Sequence, residues 1–172
     1  MKSTLNIGSA TTLFAPAEEF EAVAAGFRHK SGYSVGILAY RVRGTSSPYD
    51  IHLVRSAMPN STHVRGYAGA VAEAAERTSL TGKLHLRLNL ELIVDHLKLG
   101  LAARSSEPPP LKDGSEAATH ELLRRFFRAV HEKGLAVEVE HFKEQCPEDA
   151  LVMRQIRAAK NREFSELDKL GQ

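Results

Sequence analysis

The chain has 172 residues, 42% of them hydrophobic and 26% charged, with a formal net charge of +2, which is typical of a globular domain and not of a disordered chain. Cys146 is the only cysteine in the chain, so an internal disulfide is excluded. No apolar run approaches the ~20 residues of a membrane helix, and the first residues lack a signal-peptide pattern, so we expect a cytoplasmic protein without membrane contact. We expect one domain at 20–160, between an N-terminal extension at 1–19 and a charged tail at 161–172.

The first half of the chain predicts strands followed by a helix. Residues 20–27 are rich in alanine and leave a strand and a short helix both open. Residues 33–42 are β-favouring and apolar on both faces, which is typical of a central strand. Residues 49–53 alternate as a half-buried strand does. At 62–77, apolar residues recur at i, i+3, i+4 and i+7, which predicts an amphipathic helix on the sheet.

The middle of the chain predicts another strand and a short helix. Residues 83–90 alternate leucine with polar residues, and a strand reached through a helix is expected to be parallel to its neighbour. Asn89 is expected to cap a short helix that Gly100 ends. Three consecutive prolines then predict a loop at residues 101–114, because proline fits neither a helix interior nor a paired strand.

The last third of the chain predicts helix, strand and helix. Asp113 and Glu116 match a capping box for the first of these helices. Residues 135–142 alternate as a strand does, and Pro147 opens the final helix. The chain becomes highly charged past Asn161, where we expect the helix to fray.

This order of elements resembles the ribonuclease H family. The resemblance implies an α/β fold, a ribonuclease H-like mixed five-stranded sheet with three antiparallel and then two parallel strands, flanked by helices. It covers roughly residues 20–160 and is carried by four segments. They are GYSVGILAYRVRG (32–44), similar to the second strand; NSTHVRGYAGAVAEAAERT (60–78), similar to the first helix; KLHLRLNLELIVDHL (83–97), similar to the fourth strand and next helix; and HFKEQCPEDALVMRQIRAAK (141–160), similar to the fifth strand, loop and last helix.

This sequence departs from the family's pattern at the catalytic positions. In the family, clustered carboxylates hold two divalent cations for phosphodiester hydrolysis. The four matching positions carry no carboxylate here; they are Ala25, Tyr67, Asn89 and Met153. The resemblance therefore implies a non-catalytic module without a metal cofactor. Two other acidic pairs are considered as substitutes for the missing carboxylates. Glu91 with Asp95 is better explained as part of a solvated helix face, and Glu148 with Asp149 as acids that the helix dipole favours in a first turn.

Positive charge is concentrated in the first half of the chain. Between Ala22 and Ala72 the only acid is Asp50. In the ribonuclease H family, nucleic acid lies across the sheet and the start of the first helix, and amides at a helix N-terminus can also receive phosphate. The corresponding residues here are Arg28, Lys30, Asn60, Thr62, His63 and Arg65. The hypothesis is sequence-independent binding to a nucleic acid duplex, either an RNA–DNA hybrid or DNA.

Three alternatives stay open at this point. The basic residues are also compatible with a solvated surface that binds nothing. The fold could serve as a scaffold for a protein partner, through the helix within 141–170 or as a homodimer. The third alternative is an active ribonuclease H-type endonuclease whose carboxylates have relocated, which would need Mg²⁺ or Mn²⁺.

Overall fold

Five strands and four helices make up the described part of the chain, which in this computed structural model is residues 17–55, 61–107 and 117–171. The strands are β1 (Glu19–Arg28), β2 (Ser34–Val42), β3 (Asp50–Arg55), β4 (Lys83–Leu88) and β5 (Ala136–His141). The helices are α1 (His63–Arg77), α2 (Glu91–Ala103), α3 (Ala117–Lys133) and α4 (Pro147–Leu170). None of these described helices is long and apolar enough to cross a membrane.

The five strands form one mixed sheet in the order β3-β2-β1-β4-β5. Strands β3, β2 and β1 are antiparallel neighbours, whereas β4 lies parallel to β1 and β5 lies parallel to β4. Parallel neighbours need a crossover connection, which α1 supplies before β4 and which α2 and α3 supply before β5. The expected α/β architecture, with three antiparallel and two parallel strands flanked by helices, is confirmed.

Helices cover the two faces of the sheet differently. On one face, α1, α2 and α3 bury the leucines of β4 together with Phe126 and Phe127. On the other face, α4 packs chiefly on β1, β2 and β3, where Ile156 belongs to the same core as Val35 and Ile37. The polar residues that alternate with the leucines of β4 therefore lie on the face that α4 covers in part. These residues are Lys83, His85 and Arg87.

Tertiary packing revises several local expectations. Residues 20–27 belong to strand β1, because the segment pairs with both β2 and β4. The expectation that Asn89 caps α2 is wrong, since Leu90 holds the N-cap position and its carbonyl accepts the first helical hydrogen bonds. Gly100 does not end α2, which continues to Ala103. A Cβ at Gly100 would lie 2.3 Å from Phe127 Cζ, so the glycine makes room for that ring.

The end of the chain also differs from its predicted form. The helix α4 runs through Leu170, so the expected fraying past Asn161 is wrong as far as that residue. Glu163 and Leu167 are each 6% exposed, and their burial against the sheet explains why this charged segment stays helical. The capping box at Asp113 and Glu116 and most of the N-terminal extension lie outside the described residues.

Candidate nucleic-acid interface

The cations identified in the sequence lie where β1 ends and α1 begins. Arg28 is the last residue of β1, Lys30 follows in the turn to β2, and both are exposed. Ser61, just before α1, donates to the Gly32 carbonyl from its N–H at 2.8 Å and from its hydroxyl at 2.9 Å. Arg28 Nε in turn donates to the Ser61 carbonyl at 2.9 Å. These bonds tie the turn to the helix start. The resulting basic edge comprises Arg28, Lys30, Thr62, His63 and Arg65.

The start of α1 is suited to an anion. Thr62 holds the N-cap position with extended backbone, and its side chain makes no capping hydrogen bond to the described residues. The first turn contains no acidic residue, and Thr62 and His63 are exposed. The positive end of the helix dipole therefore lies beside the cations. Asn60, the remaining residue predicted for this site, lies outside the described residues.

Two aromatic rings extend the basic edge along α1. His63 and Tyr67 lie edge to face, with their ring centroids 6.3 Å apart. The Tyr67 hydroxyl donates to the Asn89 carbonyl at 3.5 Å, a long bond that brings the end of β4 close to α1. Burial raises the pKa of Tyr67, and a backbone hydrogen bond involving Gly26 opposes that rise in part. The hydroxyl is therefore protonated at neutral pH and acts as a donor.

The four positions matched to the family's carboxylates hold neutral side chains in the structure. Ala25 lies near the end of β1 and is buried in the core beneath α4, and Met153 packs against that same core from α4. Tyr67 lies over the neighbouring Gly26 and contacts Asn89. The four positions therefore divide between the two faces of the sheet, with Ala25 and Met153 in the core beneath α4 and Tyr67 against the core beneath α1, and none of the four side chains is anionic.

Of the two acidic pairs noted in the sequence, Glu148 and Asp149 are engaged by other groups. Asp149 accepts from Arg87 at 2.9 Å and from the Gln145 N–H at 3.1 Å, and Glu148 is paired with Arg41. Burial raises the pKa of Asp149, but these two donors outweigh it and the pKa lies below its ordinary value. Within residues 17–55, 61–107 and 117–171, no group of three or more His, Cys, Asp or Glu could hold a metal ion.

Most of the other cations of the first half are paired with acids that are distant in sequence. Arg41 pairs with Glu21 of β1 and Glu148 of α4, and Arg55 pairs with Glu163 of α4. Lys30 lies 3.2 Å from Asp168, although its side chain stays 80% exposed. Arg28 instead bonds a neutral carbonyl and keeps its charge at the surface. Ion pairs therefore offset much of the positive charge seen in the sequence, including that of Lys30 within the basic edge.

One cation near this edge was missed in the sequence. Lys160 of α4 lies with its Nζ 5.3 Å from the centre of the Phe27 ring and 5.7 Å from that of Phe164. The spacing of Lys160 and Phe164, four residues apart on a helix, indicates their mutual contact. The packing of α4 against the end of β1 is a tertiary contact that this spacing does not reveal.

No protein-family model and no curated protein matches the chain. The geometry of the basic edge therefore carries the functional conclusion.

Proposed function

We propose that the chain is a non-catalytic ribonuclease H-like module that binds nucleic acid duplexes, RNA–DNA hybrid or DNA, without sequence preference. The observation that carries the proposal is the meeting of Arg28, Lys30 and His63 at a helix start that has no acid in its first turn. The neutral residues at the four family positions support a role in binding over one in cleavage. A reducing compartment, the cytoplasm, is part of the proposal, because Cys146 is a free and exposed thiol.

Contacts of this kind recognise the phosphate backbone. The guanidinium of Arg28 and the ammonium of Lys30 would neutralise phosphates, and the first-turn amides of α1 would donate to phosphate oxygens. His63 and Tyr67 lie beside them on the same helix, where they would contact the sugar-phosphate surface. Such contacts carry no base information, so we expect similar affinities for unrelated sequences.

Fluorescence anisotropy of a labelled RNA–DNA hybrid, with double-stranded DNA alongside, tests the proposal in the presence of Mg²⁺. We expect binding at low salt that weakens steeply at moderate salt, because each neutralised phosphate releases counterions. The labelled strands should stay intact when they are recovered and run on a denaturing gel. Cleavage would contradict the non-catalytic part of the proposal and favour a relocated nuclease site.

Charge reversal locates the binding surface. The triple variant Arg28→Glu, Lys30→Glu and Arg65→Glu should lose at least about tenfold in affinity, and its slope of log K against log salt should flatten by roughly 2–3. The matched control reverses three other exposed cations, which are Lys98 on α2, Arg104 directly after α2 and Arg128 on α3. Both triple variants change the net charge equally. Equal losses in the two would refute the basic edge, and no binding by the wild type would favour a protein-binding scaffold.

A further inference from the structure

A serine, a histidine and an aspartate are hydrogen-bonded in series between the β1–β2 turn and the last turns of α4. Ser31 Oγ lies 2.6 Å from His29 Nδ1, and His29 Nε2 lies 2.8 Å from Asp168 Oδ1. A hydroxyl, a base within hydrogen-bond reach and a third group that orients the base are the parts that nucleophilic catalysis needs. The nucleic-acid proposal makes no use of this series.

The hydrogen bonds assign the proton on the imidazole. The backbone N–H of Ser31 lies 3.1 Å from His29 Nδ1 and can only donate, so Nδ1 carries a lone pair. In neutral histidine the proton is then on Nε2, from which it is donated to the Asp168 carboxylate. The Nδ1 lone pair, which accepts from the Ser31 N–H, also faces the Ser31 hydroxyl 2.6 Å away, as a general base requires.

The base is held rigidly while the hydroxyl is accessible. The His29 side chain is only 4% exposed, and its ring meets the edge of Phe164 with centroids 5.0 Å apart. The turn is closed by hydrogen bonds from the His29 N–H to the Tyr33 carbonyl at 2.8 Å and from the Gly32 N–H to the His29 carbonyl at 2.9 Å. Ser31, between them, is exposed to solvent.

A cleft of about 440 Å³ adjoins the hydroxyl, lined by the turn and by Leu167, Asp168 and Gly171 at the end of α4. The ammonium of Lys30 borders this cleft and lies 3.2 Å from the Asp168 carboxylate, so these two opposite charges offset each other there. We propose that Ser31 is an activated nucleophile that accepts the acyl group of small carboxylic esters, with His29 as its general base. Asp168 is a positioning residue that holds the imidazole.

The proposed step conserves atoms and charge. Ser31 Oγ forms a bond to the carbonyl carbon of the ester while its proton passes to His29 Nδ1. The resulting imidazolium keeps its Nε2–H on the Asp168 carboxylate. The tetrahedral adduct then breaks the bond to the leaving oxygen, which departs as the alcohol after it takes the proton from Nδ1. Acyl-Ser31 and neutral His29 remain.

Acetylation by p-nitrophenyl acetate tests the proposal on the full chain. Release of nitrophenolate is followed by absorbance, and the acetyl group is located by fragment mass spectrometry, which separates Ser31 from the neighbouring Lys30. General-base assistance should make Ser31 react at least about 100-fold faster than the exposed Ser165 of α4. A rate for Ser31 no higher than that of Ser165 would overturn the proposal.

Variants of Asp168 test the series without removing a buried group. Asp168→Asn should slow acetylation of Ser31 at least about tenfold and leave Ser165 unchanged, while Asp168→Glu, which keeps a carboxylate, should recover part of the rate. The matched control is Glu166→Gln, an equal charge change two residues away on an exposed side chain. An unchanged Ser31 rate in Asp168→Asn, or equal losses in the asparagine and glutamate variants, would refute the positioning role.

Discussion

Gly26 marks the point where α1 touches the sheet. It pairs with Gly36 across β1 and β2, and a Cβ at Gly26 would lie 2.3 Å from the backbone nitrogen of Tyr67. A Cβ at Gly36 would lie 2.3 Å from the carbonyl oxygen of Gly66. At both positions the nearest atom belongs to the backbone of α1, which cannot move aside as a flexible side chain can. The absent side chains therefore allow the first turns of α1 to lie directly on the end of β1.

Replacing Gly26 with alanine should push α1 away from β1. We expect Gly26→Ala to lower the free energy of unfolding by about 3 kcal/mol, at the upper end of typical overpacking costs. In the control Gly69→Ala, on the same helix, the new Cβ would lie 3.0 Å from a side-chain atom, Val54 Cγ1, which can move. Alanine also favours the helix there by about 1 kcal/mol. Urea unfolding measures both variants, and a negligible loss of stability in Gly26→Ala would show that α1 can shift without penalty.

The helix α4 depends on its last turns for attachment to the sheet. Leu167 is buried in the core that α4 shares with β1 and β2, and Glu163 pairs with Arg55 of β3. Leu170, one turn beyond Leu167, is 73% exposed. The attachment is a property of the whole helix, because α4 contacts three different strands.

Truncating leucines near the end of α4 should separate buried from exposed positions. Leu167→Ala should lower the free energy of unfolding by about 2–5 kcal/mol, because it leaves a cavity against the sheet. Leu170→Ala should change it by less than about 0.5 kcal/mol, as exposed substitutions generally do. Thermal unfolding followed by circular dichroism would decide. Similar small effects for both variants would mean that the end of α4 frays, as its composition alone indicates.

At the scale of the whole molecule, sequence patterns predicted the sheet but not its charge pairing. The alternating leucines of residues 83–88 predicted a buried strand because period two is a local property of the backbone. The role of Gly100 was misread, since the ring of Phe127 that it accommodates comes from another helix. Likewise, Arg28 and His63 were expected at one site, whereas the pairing of Arg41 with Glu148 joins residues too distant in sequence for a local pattern to reveal.

Ion pairs between α4 and the sheet make the stability of the molecule depend on pH. Burial raises the pKa of Asp149, but the Gln145 N–H and Arg87 outweigh it, so the pKa lies below its ordinary value of 3.8. The folded state thus binds this proton less tightly than the unfolded state. The ionised Asp149 carboxylate therefore adds to the free energy of unfolding above pH about 3.8, and this contribution is lost as the pH falls through the lowered pKa.

Asp149→Asn should remove this dependence. We expect a lower free energy of unfolding at neutral pH and convergence with the wild type in acid, measured by urea unfolding at several pH values. The control Asp95→Asn, at an exposed position of α2, should keep the wild-type profile. A constant difference between Asp149→Asn and the wild type at every pH would show that the Asp149 carboxylate charge contributes nothing.

The face of the sheet beside α4 carries charges of both signs in close contact. Glu19 pairs with Arg43 and His85, and Glu138 pairs with His85 and Lys83. Seen from farther than a Debye length of about 8 Å, such neighbours cancel one another. A polyanion that diffuses towards the molecule therefore feels mainly the charge of Arg28, which bonds a neutral carbonyl where β1 meets α1. The direction of approach is then selected in solution, before any contact forms, and collisions with the paired face contribute little to complex formation.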